Sequence, residues 1–164
     1  MTRPATSGAH SGSEKEEPKE PPLSSRKLYV KSEPGGYLRI VGGAFLLESI
    51  EYAIKEPYYH YNSLISKYGY YIKPIHKVYK KRSGSKLIYM YYGRYWFRKS
   101  EKGRLIYSGT EKPAEIPVEP PPSPLEGVTL IVDNEDLIIS ESGFDKFIYF
   151  VKKIIHELKL SYHL

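Results

Sequence analysis

The sequence predicts an α+β protein: an antiparallel β-meander preceded by two helices, then a C-terminal β-hairpin and helix. Three observations carry that expectation. Apolar residues recur at helical spacing over 44–56 and again from Phe144 to Leu158. Between these stretches, from Ile75 to Ser108, aromatic and apolar residues alternate with polar ones and are interrupted by Gly84, Gly93 and Gly103. The 164 residues leave room for one ordinary domain, or one with appendages.

Residues 1–26 carry Pro4, Pro18, Pro21 and Pro22 among Ser, Gly, Glu and Lys, with Leu23 the only large aliphatic residue after Met1. Such a segment cannot bury enough surface to offset its ordering entropy, so a disordered tail is expected. It lacks the apolar centre of a secretion signal, and no run of apolar residues reaches membrane-spanning length, so a cytoplasmic protein with no membrane partner is expected.

Order is expected from Lys27, where Leu28 and Val30 alternate with polar positions. A turn at Pro34-Gly35-Gly36 leads to a second strand over 37–41, and Gly42-Gly43 ends this hairpin. Phe45, Leu46, Ile50, Ala53 and Ile54 follow a helical period, Glu51 precedes Lys55 by four residues, and Pro57 is expected to stop the helix. Leu64, Ile65 and Tyr68 mark a second, shorter helix ending at Gly69.

The meander follows: strands over 75–81 and 86–99, turns at Ser83-Gly84-Ser85 and Glu101-Lys102-Gly103, a bulge or bend at Gly93, and a closing strand over 104–108. Beyond Gly93, alternation places Arg94, Trp96 and Arg98 on one face and Tyr95, Phe97 and Lys99 on the other. A helix must cover one face of such a sheet, and the other can stay wet. With residues 27–110 read as one basic aromatic domain, 111–126 reads as a proline-rich acidic linker. Residues 127–164 read as a hairpin and helix opened by a Ser142–Asp145 capping box, too small to stand alone and therefore a docking or dimerisation element. Phe144, Phe147, Val151, Ile154, Ile155 and Leu158 supply its apolar stripe and are the expected surface for a protein partner or self-association.

Charge gives the functional expectation. Although the chain is only +6 overall, the stretch from Lys67 to Tyr107 holds twelve Lys or Arg against the single acid Glu101, together with nine Tyr, Trp96 and Phe97. Cations that neutralise phosphates, set among rings that stack on bases, suit DNA, single- or double-stranded, or RNA. Lys77, Lys80, Lys81, Arg82, Lys86, Arg94, Arg98, Lys99, Lys102 and Arg104 are assigned to phosphate. Tyr92, Tyr95 and Trp96 are assigned to stacking. The alternative is a protein-interaction subunit of a replication, transcription or viral assembly, whose basic surface meets an acidic partner.

Catalysis and cofactors are not expected. Zero cysteines remove disulfides, thiolate metal sites and a cysteine nucleophile. The five histidines form no HxH or HExxH pair, and Asp133, Glu135 and Asp136 lack calcium-loop spacing. Abundant Lys, Glu, Tyr and Ile with only two Met suit a thermophile.

The stretch Tyr91-Tyr92-Gly93-Arg94-Tyr95-Trp96-Phe97-Arg98-Lys99, with Gly103 to Gly109 and Glu111-Lys112-Pro113, resembles a Tyr/Lys-rich strand module of uncharacterised archaeal and mobile-element proteins, some of them associated with integrases or transposases. The resemblance implies DNA-associated company and carries over no catalytic residue. The C-terminal strand, turn, strand and helix is similar to the end of single-strand-binding transcription cofactors, which pair such elements into a dimer.

Overall fold

Leu28 and Val30, Leu38 and Ile40, Leu130 and Val132, Leu137 and Ile139 each occupy alternate positions of a strand, and all eight are buried on one side of a single sheet. The computed structural model describes residues 27–155 and the strand Lys159–His163. The elements run β1 Lys27–Glu33, β2 Tyr37–Val41, α1 Leu47–Ile65, β3 Tyr70–Arg82, β4 Ser85–Lys99, β5 Leu105–Gly109, β6 Thr129–Asp133, β7 Asp136–Ser140, α2 Glu141–Ile154 and β8 Lys159–His163. The fold is mixed α/β, with two helices among the described residues. The sheet has eight strands in the order β3-β4-β6-β7-β2-β1-β8, and β5 pairs with the far end of β4. Every pairing is antiparallel except β1 with β8.

Both helices lie on the same side of this sheet. From α1, Ile50 and Ile54 join the main core, and from α2 come Phe144, Phe147, Ile148 and Val151. A smaller cluster of Tyr58, Tyr61, Ile65, Ile72, Trp96 and Ile116 continues the core toward the end of α1. The two expected N-terminal helices are one continuous helix, with Pro57 inside it. Pro57 itself is exposed, and the penalty of roughly 3 kcal/mol is offset by the buried stripe that resumes with Tyr58, Tyr61 and Ile65. Gly69 closes the end as expected, at a left-handed φ of 79°.

The meander is longer than its periodicity suggested. Strands β3 and β4 pair from Tyr70 with Arg98 to Arg82 with Ser85, leaving the two-residue turn Ser83-Gly84, both at positive φ. The expected irregularity at Gly93 is present. Lys73 faces Tyr95 but Ile75 faces Tyr92, so the register slips opposite Pro74.

Two segments differ in role from the sequence reading. The C-terminal hairpin is no peripheral element: β6 pairs with β4 and β7 with β2, making the hairpin the centre of the sheet that joins its halves. The proline-rich stretch is a packed strap with Ile116 and Leu125 fully buried. Tyr58 donates its hydroxyl to the Pro121 carbonyl at 2.8 Å, and Tyr61 donates to Val118 at 2.6 Å. Proline brings no N–H needing a partner, so a strap rich in it can be pressed onto a helix once its carbonyls are satisfied.

Helix α2 starts at Glu141 with Ser140 in the capping position and no side-chain cap, so the Ser142–Asp145 capping box is not formed. Its stripe is spent within the chain: Phe144, Phe147, Val151 and Ile155 are buried in the protein's own core and Ile154 packs against it, which removes them as a free self-association surface. Leu158 and the tail of residues 1–26 lie outside the described residues. After α2, which ends at Ile154, the chain returns as β8 alongside β1, a strand that the sequence reading did not include. Among the described residues no helix is long and apolar enough to cross a membrane.

Candidate nucleic-acid interface

With both helices on one side, alternation along β4 sorts its side chains. Met90, Tyr92 and Trp96 point into the core, so Tyr89, Tyr91, Tyr95, Phe97 and Lys99 point to the opposite side, which no described helix covers. The registers extend this second row sideways. Phe97 lies between Tyr71 of β3 and Tyr107 of β5, Tyr95 lies opposite Lys73, Tyr91 opposite His76, and Tyr89 opposite Val78.

These groups form a connected chain. The Lys80 ammonium sits 4.3 Å from the Tyr89 ring centre. Tyr89 and Tyr91 are nearly parallel, 22° apart with centres 6.4 Å distant. His76 follows, 6.2 Å from Tyr91 and 5.4 Å from Tyr95. Beyond Tyr95, the Lys73 ammonium covers the Phe97 ring at 4.7 Å, and Phe97 meets Tyr107 edge-on at 5.5 Å. The result is an open surface of rings and ammonium groups. Partial burial, reinforced by Tyr107 and Tyr91, holds the Tyr95 phenol above its ordinary pKa, so it carries no negative charge near neutral pH.

The other half of the same face carries an ion cluster. Arg39 of β2 lies among three carboxylates, bonded to Glu33, to Asp133 at 3.0 Å and to Asp136 at 3.0 Å. Asp136 also accepts the Gly42 N–H at 2.8 Å. Burial alone would lower the Arg39 pKa, but its hydrogen bonds to Glu33, Asp136 and Asp133 outweigh that and raise it. One cation against three anions gives this cluster a local excess of negative charge, with the exposed Lys27 and Lys31 of β1 on the same face beside it.

A cleft of about 650 Å³ runs along the outer edge of β3. Lys55, Tyr58, Tyr59 and Asn62 of α1 form one wall, and Tyr71 with Lys73 to Lys77 of β3 forms the other, with Tyr95 and Phe97 at its mouth. The Asn62 side chain bridges the strand edge, accepting from Ile72 N–H at 2.9 Å and donating to Ile72 C=O at 3.0 Å. Glu51 binds both Lys77, at 2.6 Å, and Lys55, at 3.3 Å. Burial would raise the Glu51 pKa, but Lys77 and then Lys55 outweigh that and hold it below its ordinary value.

The residues expected to touch phosphate fall in several places. Lys80 and Lys99 belong to the open face, and Lys81, Arg82 and Lys86 crowd the exposed tip of the β3–β4 hairpin. Lys102 and Arg104 are exposed in the turn before β5, and Arg98 is exposed on the helix side. Lys77 faces α1 and is paired with Glu51. Arg94 lies half-buried under the strap, 3.5 Å from the Pro121 carbonyl, and does not reach the open face.

Of the three stacking rings, only Tyr95 holds its place. Tyr92 is 3 % exposed and Trp96 0 %, the latter packed edge-on against Tyr61 at 6.2 Å, so neither offers a ring face to a base. Tyr71, Lys73, His76, Tyr89, Tyr91, Phe97 and Tyr107 lie on the open face with Tyr95. Along β4 the shared parity of Tyr89, Tyr91, Tyr95 and Phe97 was the signal, whereas on β3 the irregularity at Pro74 puts His76 out of step with Tyr71 and Lys73.

No family model, curated protein or solved structure matches the chain.

Proposed function

We propose that this chain binds single-stranded nucleic acid, DNA in the first instance, on the uncovered face of β3, β4 and β5, and acts by binding rather than by catalysis. The observation that carries the reading is the connected run from Lys80 through Tyr89, Tyr91, His76 and Tyr95 to Lys73, Phe97 and Tyr107 on one side of the sheet. Rings lying open on a sheet recognise the flat faces of unpaired bases, each stacking contact adding roughly 1–3 kcal/mol, and a duplex hides those faces. Lys73, Lys80 and Lys99, with the nearby Arg82 and Lys102, neutralise the backbone.

Fluorescence anisotropy with labelled single-stranded DNA, single-stranded RNA and duplex DNA over a salt series tests this. Three to five phosphate contacts on a single strand give a log–log salt slope of about −2 to −3.5. Single strands are expected to bind more tightly than duplex. Tighter binding to duplex, or flat and negligible binding to all three at low salt, would overturn the reading, and the latter result would favour an acidic protein partner for the basic surface.

A further inference from the structure

We infer that the cleft along the outer edge of β3 receives the terminal nucleotide of a single strand whose body lies on the open face. This rests on the nucleic-acid reading above and adds to it a preference for strand ends. Size is the first support, because about 650 Å³ lies within the roughly 300–1,000 Å³ range of small-molecule sites. Chemistry is the second. Lys55, Lys73 and Lys77 bring three ammonium groups to the lining, and among the described residues Glu51 is the one carboxylate bonded to any of them. The lining therefore keeps net positive charge for a phosphate, while Tyr59 and Tyr71 supply flat apolar surface for a base and sugar.

Position is the third support. Tyr95 and Phe97 belong both to the open face and to the mouth of the cleft, so a strand crossing the rings is led into it. Strand β3 ends the sheet on this side, and α1 stands across the exit with Asn62 fastened to both backbone groups of Ile72. A strand running off the rings meets that wall, which suits a free end better than a continuing chain. Glu51 competes with the incoming phosphate for Lys55 and Lys77, and so sets how tightly the end is held.

The test compares linear and covalently closed circular single-stranded DNA of equal length and composition, the linear form carrying a terminal phosphate. The linear form should bind at least about fivefold more tightly, the effect of one added charge contact at a partly exposed site. Lys55→Gln with Lys77→Gln should abolish that difference and leave the circle's affinity unchanged, because neither residue lies on the open face. Glu51→Gln should widen it severalfold. A thermal melt of each variant separates loss of recognition from loss of fold. Equal affinity for line and circle in the unmodified protein would overturn the end preference and leave the open-face reading standing. No binding to either would overturn both.

Discussion

Removing two rings from the centre of the open face, by Tyr91→Ala with Tyr95→Ala, distinguishes stacking from simple charge attraction. Both residues are partly exposed, and their closest recorded ring neighbour is His76, at 6.2 and 5.4 Å. Neither belongs to either buried cluster, so the doubly substituted protein should fold. If each ring contributes roughly 1–3 kcal/mol by stacking, the pair contributes about 2–6 kcal/mol, a loss of affinity of at least about thirtyfold. No cation is removed, so the salt slope should stay unchanged while the whole line drops. Substituting Lys73 and Lys80 by Ala should do the reverse, making the slope shallower by about 1.4. The assay is anisotropy with a labelled single strand at several salt concentrations, with a circular-dichroism melt of each variant. Unchanged affinity in a normally folded Tyr91/Tyr95 variant would refute the stacking argument.

Three further outcomes follow from the packing. Trp96→Ala should destabilise the fold by about 3–5 kcal/mol, because the ring is wholly buried between α1 and the sheet; chemical denaturation would measure this, and binding by the fraction still folded should persist. Arg39→Ala leaves Glu33, Asp133 and Asp136 facing one another without their cation, and should cost about 1–3 kcal/mol in the same measurement, the partial exposure of the cluster reducing the penalty of a fully buried pair. The folded-state pKa of Glu51 is depressed, so its ion pairs stabilise fully above the ordinary carboxylate value near 4.5 and lose that contribution as pH falls through the lower folded value; the stability gap between the unmodified protein and Glu51→Gln, about 0.2–1 kcal/mol near neutrality, should therefore close in acid.

Local pattern made much of the fold legible. The first hairpin, the Ser83-Gly84 turn, the irregularity at Gly93 and the glycine end of α1 all follow from residues within a few positions of one another. What stayed hidden depends on distant partners. Pro57 breaks a helix unless tertiary burial on both sides compensates, and beyond Pro57 that burial comes from Ile72, Trp96 and Ile116, far along the chain. The strap reads as a spacer by composition, and it takes the distant hydroxyls of Tyr58 and Tyr61, with the burial of Ile116 and Leu125, to show why it is fastened down. Residues 127–164 look too small to stand alone, but the sequence does not reveal that the place of their hairpin is mid-sheet.

The candidate site shows the same division. Period-two alternation separated Arg94, Trp96 and Arg98 from Tyr95, Phe97 and Lys99, yet it carries no information on which row meets the helices. Large aromatic area favours burial as strongly as it favours stacking, and the Trp96 ring went inside with Ile72 and Tyr61. Tyr95 and Trp96, adjacent on one strand, fall on opposite faces of the pleat, so a single surface does not hold both rings.

Chemical-shift mapping of the full chain during titration with an unlabelled single-stranded oligonucleotide tests the central claim most directly. The account predicts shifts concentrated at Lys73, His76, Tyr89, Tyr91, Tyr95 and Phe97, with the helix-facing Met90, Tyr92 and Trp96 moving far less. Shifts confined to the outer surfaces of α1 and α2, or to the acidic cluster around Arg39, would contradict it.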